Sequence, residues 1–191
     1  IEKQTTKETA DQIQQGIAKE ILRFHVLANS DSEEDQKLKL EVKDRLVDYM
    51  KDILDGAEDV KETKKRITEN QETICLVAEQ EIQKQGYTYP VSVNLEKCYF
   101  PMKTYGDCTF PAGTYEALRV CIGKAKGRNW WCVLYPGLCF ADSVNVIVPD
   151  EKKQELKNIL TEEEYESLFD WREDDYQIRS GFLRLWRKLF A

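Results

Sequence analysis

Histidine occurs once in this chain, at His25, and no Cys-x-x-Cys pair occurs. Those two shortages leave little from which to build a zinc site or a thioredoxin-like redox centre, and no metal is expected. Positive charge is also short: the 191 residues carry a net charge of -7. Phosphate binding needs a cationic footprint, so nucleic acid is not expected as a partner. No apolar run reaches the ~18 residues that a membrane-spanning helix requires. No Gly-rich loop opens a helix, so Gly106, Gly113, Gly123 and Gly127 read as turn glycines rather than a phosphate cradle. Internal repeats and low-complexity linkers are absent as well.

What is present suits one domain. A chain of this length buries roughly 70% of its unfolded surface and does not need disulfides merely to fold. Its six cysteines nevertheless form an even set, which points to an oxidising compartment.

Residues 1–20 read as a lead-in, either mobile or carrying a short helix from about Thr9. Ile21 to Ala28 reads as a strand with Leu22, Phe24, Val26 and Ala28 on its apolar face and Arg23 and His25 on the less buried one. Ser30-Asp31-Ser32-Glu33 matches a capping box. Leu38, Val42, Leu46 and Met50 follow at helical spacing as far as Gly56. A second helical region runs over 58–85, with a break expected at Thr68-Glu69-Asn70.

Beyond Gly86 the apolar period becomes two. Val91, Val93 and Leu95 alternate with polar residues, and Leu118, Val120 and Ile122 mark another strand. Trp130 to Tyr135 carries large apolar groups on both faces and reads as the central strand, reached by a turn at Ala125–Arg128. The expected fold is α+β, a mostly antiparallel sheet made of an early strand plus a β-meander and packed with helices. A core domain over 21–148 and a helical C-terminal region over 149–191 are expected. In that last region Thr161 to Glu164 is a second capping box, and Phe182, Leu185, Trp186, Leu189 and Phe190 share one helical face.

Four blocks, in order, resemble the stage II sporulation protein R family. They are Arg23 to Ser32, Phe100-Pro101-Met102-Lys103-Thr104-Tyr105-Gly106, Phe110-Pro111-Ala112-Gly113 with Tyr115-Glu116-Ala117, and Asn129 to Pro136 with Leu138-Cys139-Phe140. The resemblance implies a non-enzymatic protein secreted from the forespore into the space between forespore and mother-cell membranes. There it would activate a membrane-embedded aspartic protease that processes pro-sigma-E. It also implies a signal or anchor segment ahead of residue 1.

The family motif contains both Cys132 and Cys139, which makes them the preferred disulfide. Cys121–Cys132 competes, as the two would face each other across a hairpin turned at Lys126-Gly127, and Cys98–Cys108 is a candidate second bridge. Candidate partner contacts are Arg23, His25, Phe110, Trp130, Trp131 and Trp186. The C-terminal amphipathic helix has three open readings: cover for the Trp130/Leu134 face, a membrane-surface contact, or docking into the receptor. No carboxylate pair stands out as an acid/base set, and neither catalytic residue nor cofactor is expected. The alternative function is a secreted thiol or hydrolytic enzyme using His25.

Overall fold

A computed structural model of the chain describes residues 2–140 and 147–170. In chain order the elements are α1 (Glu2–Glu20), β1 (Leu22–Leu27), α2 (Glu33–Leu54), α3 (Val60–Glu69), α4 (Gln71–Lys84), β2 (Val91–Phe100), β3 (Lys103–Tyr105), β4 (Cys108–Phe110), β5 (Gly113–Ile122), β6 (Asn129–Tyr135), a 3-10 turn (Leu138–Phe140), α5 (Asp150–Ile159) and α6 (Glu162–Asp170).

The main sheet has the order β2-β5-β1-β6, and β3 and β4 form a separate hairpin. Strand β1 runs parallel to β5 and antiparallel to β6, while β2 and β5 are antiparallel. The sheet is therefore mixed, two antiparallel pairings to one parallel, within an α+β fold. This differs from the meander expected after β2. Chain-adjacent β5 and β6 do not pair, because β1 lies between them, and the tryptophan strand β6 is an edge strand rather than the centre. Periodicity reports which faces are apolar; it does not report neighbour order.

Crossing over β1 imposes a local demand. The β5–β6 connection passes against the β1–α2 loop, with Gly127 N–H donating to Ala28 O and Lys126 N–H to Asn29 O. A Cβ at Gly127 would overlap the Ser30 carbonyl, so glycine is required there by close approach of two backbones.

Both sheet faces are covered, as the two apolar faces of β6 require. On one face, Leu22, Phe24, Val26, Val93, Leu118, Val120 and Leu134 meet Leu38, Val42, Leu46 and Met50 of α2, Ile67 of α3 and Ile74, Val77, Ala78 and Ile82 of α4. Each buried side chain larger than Ala78 contributes roughly 1.5–3 kcal/mol. Trp130 packs into this core beside the helices. The C-terminal helix offered as cover for this face lies outside the described residues, as does Trp186.

The second core holds Ile17 of α1, Ile21, Phe100, Phe110, Tyr115, Ala117, Val133, Leu156 of α5 and Leu168 of α6. Two expectations are corrected here. The segment expected as a mobile lead-in or a short helix from about Thr9 is the helix α1 from Glu2 to Glu20, and Ile13, Ile17 and Ala18 carry it onto the sheet. Arg23 and His25 were placed on a less buried face, whereas every residue of β1 is buried.

The helix ends show how capping chemistry selects its register. Ser32, not Ser30, caps α2, accepting from the Asp35 amide. Ser30 is occupied as a donor to the Asp35 carboxylate. At α6 the capping box forms as read: Thr161 N–H donates to Glu164 Oε2 at 2.9 Å and Glu164 N–H to Thr161 Oγ1 at 3.3 Å. The break at Asn70 separates α3 from α4.

Candidate functional site

Adjacent odd positions of β1 put Arg23 and His25 on the same side of the sheet, facing the second core. Arg23 is fully buried. Its Nε donates to Cys132 O at 3.1 Å and its Nη2 to Tyr105 Oη at 2.9 Å. Its guanidinium carbon lies 4.4 Å from the Phe100 ring centroid, 5.1 Å from Tyr115, 5.4 Å from Phe110 and 5.7 Å from Tyr105. Among the described residues no carboxylate forms an ion pair with it. Four aromatic quadrupoles, two directed acceptors and the planar fork do the work that a counter-ion usually does. Burial raises the Tyr105 phenol far above its ordinary value and takes Tyr115 to about 12. Both hydroxyls therefore remain protonated; Tyr115 donates to Pro111 O at 2.7 Å.

His25 lies between Arg119 of β5 and Trp131 of β6 in the strand register. It is 3% exposed. The imidazole stacks on Trp131 at 5.0 Å and tilts against Phe100 at 5.1 Å. Among the described residues neither ring nitrogen has a hydrogen-bond partner. Burial first, then the Arg119 charge, lowers its pKa to about 4, with Glu96 opposing and Arg23 adding to the shift. The ring is neutral near pH 7. No cysteine thiol is hydrogen-bonded to it.

All six cysteines are free thiols in this structure. Cys132 and Cys139 are brought together: their sulfurs lie 3.7 and 3.1 Å from the same Val133 carbonyl. Burial, then a hydrogen bond with Cys132, pushes the Cys139 thiol well up. The competing Cys121–Cys132 hairpin pair does not exist, since β1 separates the strands: Cys121 faces Leu27 and Cys132 faces Phe24. Cys98 borders the second core with its sulfur 3.9 Å from Glu96 O, and Cys108 is buried in that core.

The remaining candidates divide by depth. Phe110 is fully buried beneath Arg23. Trp130 meets Phe24 edge-on at 5.6 Å and receives the Lys43 ammonium at 5.2 Å. Trp131 is half-buried, and closes over His25.

A polar network went unread in the sequence. Asn29 Nδ2 and Ser30 Oγ both donate to the Asp35 carboxylate. Asn29 Oδ1 accepts from Lys124 N–H, Asp31 Oδ1 from Arg128 N–H, and the Lys39 ammonium donates to Arg128 O. Burial would raise the Asp35 carboxyl, but hydrogen bonds from Ser30, Asn29 and Tyr89 outweigh it and hold it below the usual value. The Asn29–Ser32 block thus fastens the β5–β6 connection to the head of α2. A cleft of about 590 Å³ also opens between Leu54, Leu134, Tyr135, Lys152, Glu155 and Ile159. None of the described helices is long and apolar enough to cross a membrane.

Fold and site together define an α+β domain in which a mixed sheet, covered on both faces, is organised around a buried arginine in an aromatic cage. The sequence blocks that build that cage are the ones that carry the family signal, and the comparisons agree with them. The chain belongs to the stage II sporulation protein R family, whose profile matches residues 18–145. It is 35% identical over 157 residues to the stage II sporulation protein R of Bacillus subtilis (strain 168), covering 80% of this chain and 68% of that protein. No solved structure matches. The chain is accordingly a sporulation protein.

Proposed function

We propose that this chain is a secreted signalling domain that activates a membrane-embedded aspartic protease, leading to pro-sigma-E processing. It acts in the space between the forespore and mother-cell membranes, and it works by recognition rather than by catalysis. Family membership supports the biological setting. The observation that carries the mode of action is the state of His25: the one side chain suited to proton transfer near neutrality is sealed between Trp131 and Phe100. A general base needs hydrogen-bond reach to the proton it removes, and this imidazole has aromatic walls instead.

Aspartic catalysis needs two carboxylates held close together. If each protease subunit supplies one, a ligand with higher affinity for the paired state shifts the population toward activity, and its differential affinity is the entire driving force. A rigid domain with a fixed surface suits that task, because little ordering entropy is lost on binding.

The test is reconstitution in a heterologous host expressing the protease and pro-sigma-E, with and without this chain carrying an export signal. Processed sigma-E is expected only with the chain present. Equal processing in its absence overturns the proposal.

A further inference from the structure

Strand β2 is an edge of the main sheet and is ten residues long. Its first half is closed. Gln71 Nε2 of α4 donates to Val93 O at 2.7 Å, and the Cys75 thiol reaches Val91 O at 3.7 Å. Those two carbonyls therefore point away from β5. The β2–β5 register is unbroken from Val91 to Phe100. In an antiparallel pair, alternate residues turn both backbone groups outward, so Leu95, Lys97 and Tyr99 do so as well. Among the described residues, nothing pairs with those outward groups.

The open stretch has two ends. Gln71 stops it at Val93, and Pro101, which has no N–H, stops it after Phe100. What lies between has the length of a short strand. Its outward residues also run past the helical cover: Lys97 is exposed, and Tyr99 is 66% exposed. Lys97 faces Glu116 in the ladder, but the Glu116 carboxylate is held by Lys64 at 2.6 Å. Among the described residues Lys97 forms no ion pair, so its positive charge is left over at the middle of the slot.

We infer that the β2 edge from Leu95 to Tyr99 receives an extended segment of a partner protein by strand addition, with an acidic residue of that segment seated at Lys97. Main-chain hydrogen bonds supply affinity, and the Lys97 charge and Tyr99 ring supply selectivity. A second copy of this chain is disfavoured as the occupant: two antiparallel β2 strands centred on the slot place Lys97 against Lys97, and like charges directly opposite are destabilising. The inference rests on the reading that the chain works by recognising another protein.

The test is amide hydrogen exchange on the full chain, alone and with membrane vesicles carrying the protease. Slowed exchange at Leu95, Lys97 and Tyr99 on addition of the vesicles is expected. Lys97→Pro removes only an outward N–H and leaves the β5 ladder intact, so it should keep its melting temperature while weakening vesicle binding by about tenfold more than Lys97→Ala does. Lys97→Glu should weaken it similarly. Binding with protection elsewhere, or Lys97→Pro binding like the parent, overturns the edge while leaving the recognition reading intact. Concentration-dependent protection of the same amides in the chain alone assigns the edge to a second copy and overturns the partner. No binding to the vesicles at all overturns both.

Discussion

The rings of His25 and Trp131 stack across the β1–β6 ladder, their centroids 5.0 Å apart and their planes at 17°. The contact joins two of the four sequence blocks that carry the family resemblance, and it helps to bury the only histidine. An imidazolium there would lose its hydration to burial, and it would meet Arg119 and Arg23 with Glu96 opposing them. Protonation is therefore coupled to unfolding.

The pKa of His25 falls from 6.5 to about 4 on folding, so between those values the unfolded chain binds a proton that the folded chain refuses. Its contribution is intact above pH 6.5, declines as pH drops through that window, and changes no further below about 4. The full loss is about 3 kcal/mol. Urea unfolding at pH 7 and pH 4.5 should show most of it, and His25→Phe should remove that part of the pH dependence. An unchanged slope in the variant contradicts the assignment.

Arg23 should be among the costliest residues to truncate. Arg23→Ala leaves the Cys132 carbonyl and Tyr105 hydroxyl unpaired and opens a space among four rings, for a loss of about 4 kcal/mol by denaturant melts. Arg23→Lys keeps the charge but cannot reproduce the fork, and should recover less than half of that. Full recovery by lysine would mean that charge alone holds the cage.

Gly127 and Gly56 should respond differently to alanine. At Gly127 the new methyl meets the Ser30 backbone carbonyl, which cannot yield without moving the β1–α2 loop. A cost of about 3 kcal/mol is expected. Gly56 has φ +68° and nothing within 4 Å of a new Cβ, so only the left-handed conformation is penalised, at about 1 kcal/mol. Equal melting shifts for the two variants would show that the crossing at Gly127 is not tight.

Oxidation should join Cys132 to Cys139. Non-reducing peptide mapping is expected to yield that pair, and reduction to lower stability by about 2 kcal/mol, as befits a short loop. Recovery of a Cys121–Cys132 peptide would contradict the sheet order itself, because β1 stands between those strands.

Much of this was legible from periodicity. The α2 stripe, the break at Asn70, the strands around Val93 and Val120 and the two-faced apolar character of β6 all follow from local spacing. The Thr161 box formed as read because nothing competed for its groups, whereas the Ser30 box lost its hydroxyl to Asp35. Helix α1 was legible only as a short helix from about Thr9, one of two readings, because Ile13 and Ile17 make a stripe too sparse to stand out among polar residues. The cage was missed because its parts come from β1, β2, β3, β4 and β5, and no local pattern links Arg23 to Phe100, Tyr105, Phe110 and Tyr115.

By itself the sequence determined the family, the element types and the apolar faces, since those depend on residue identity and short-range spacing. Tertiary structure alone decided that β1 sits between β5 and β6, that Arg23 and His25 are buried, and that half of the β2 edge stays unpaired among the described residues. Those outcomes depend on which distant segments meet, and the free energy of burying two faces of one sheet is shared by all of them at once.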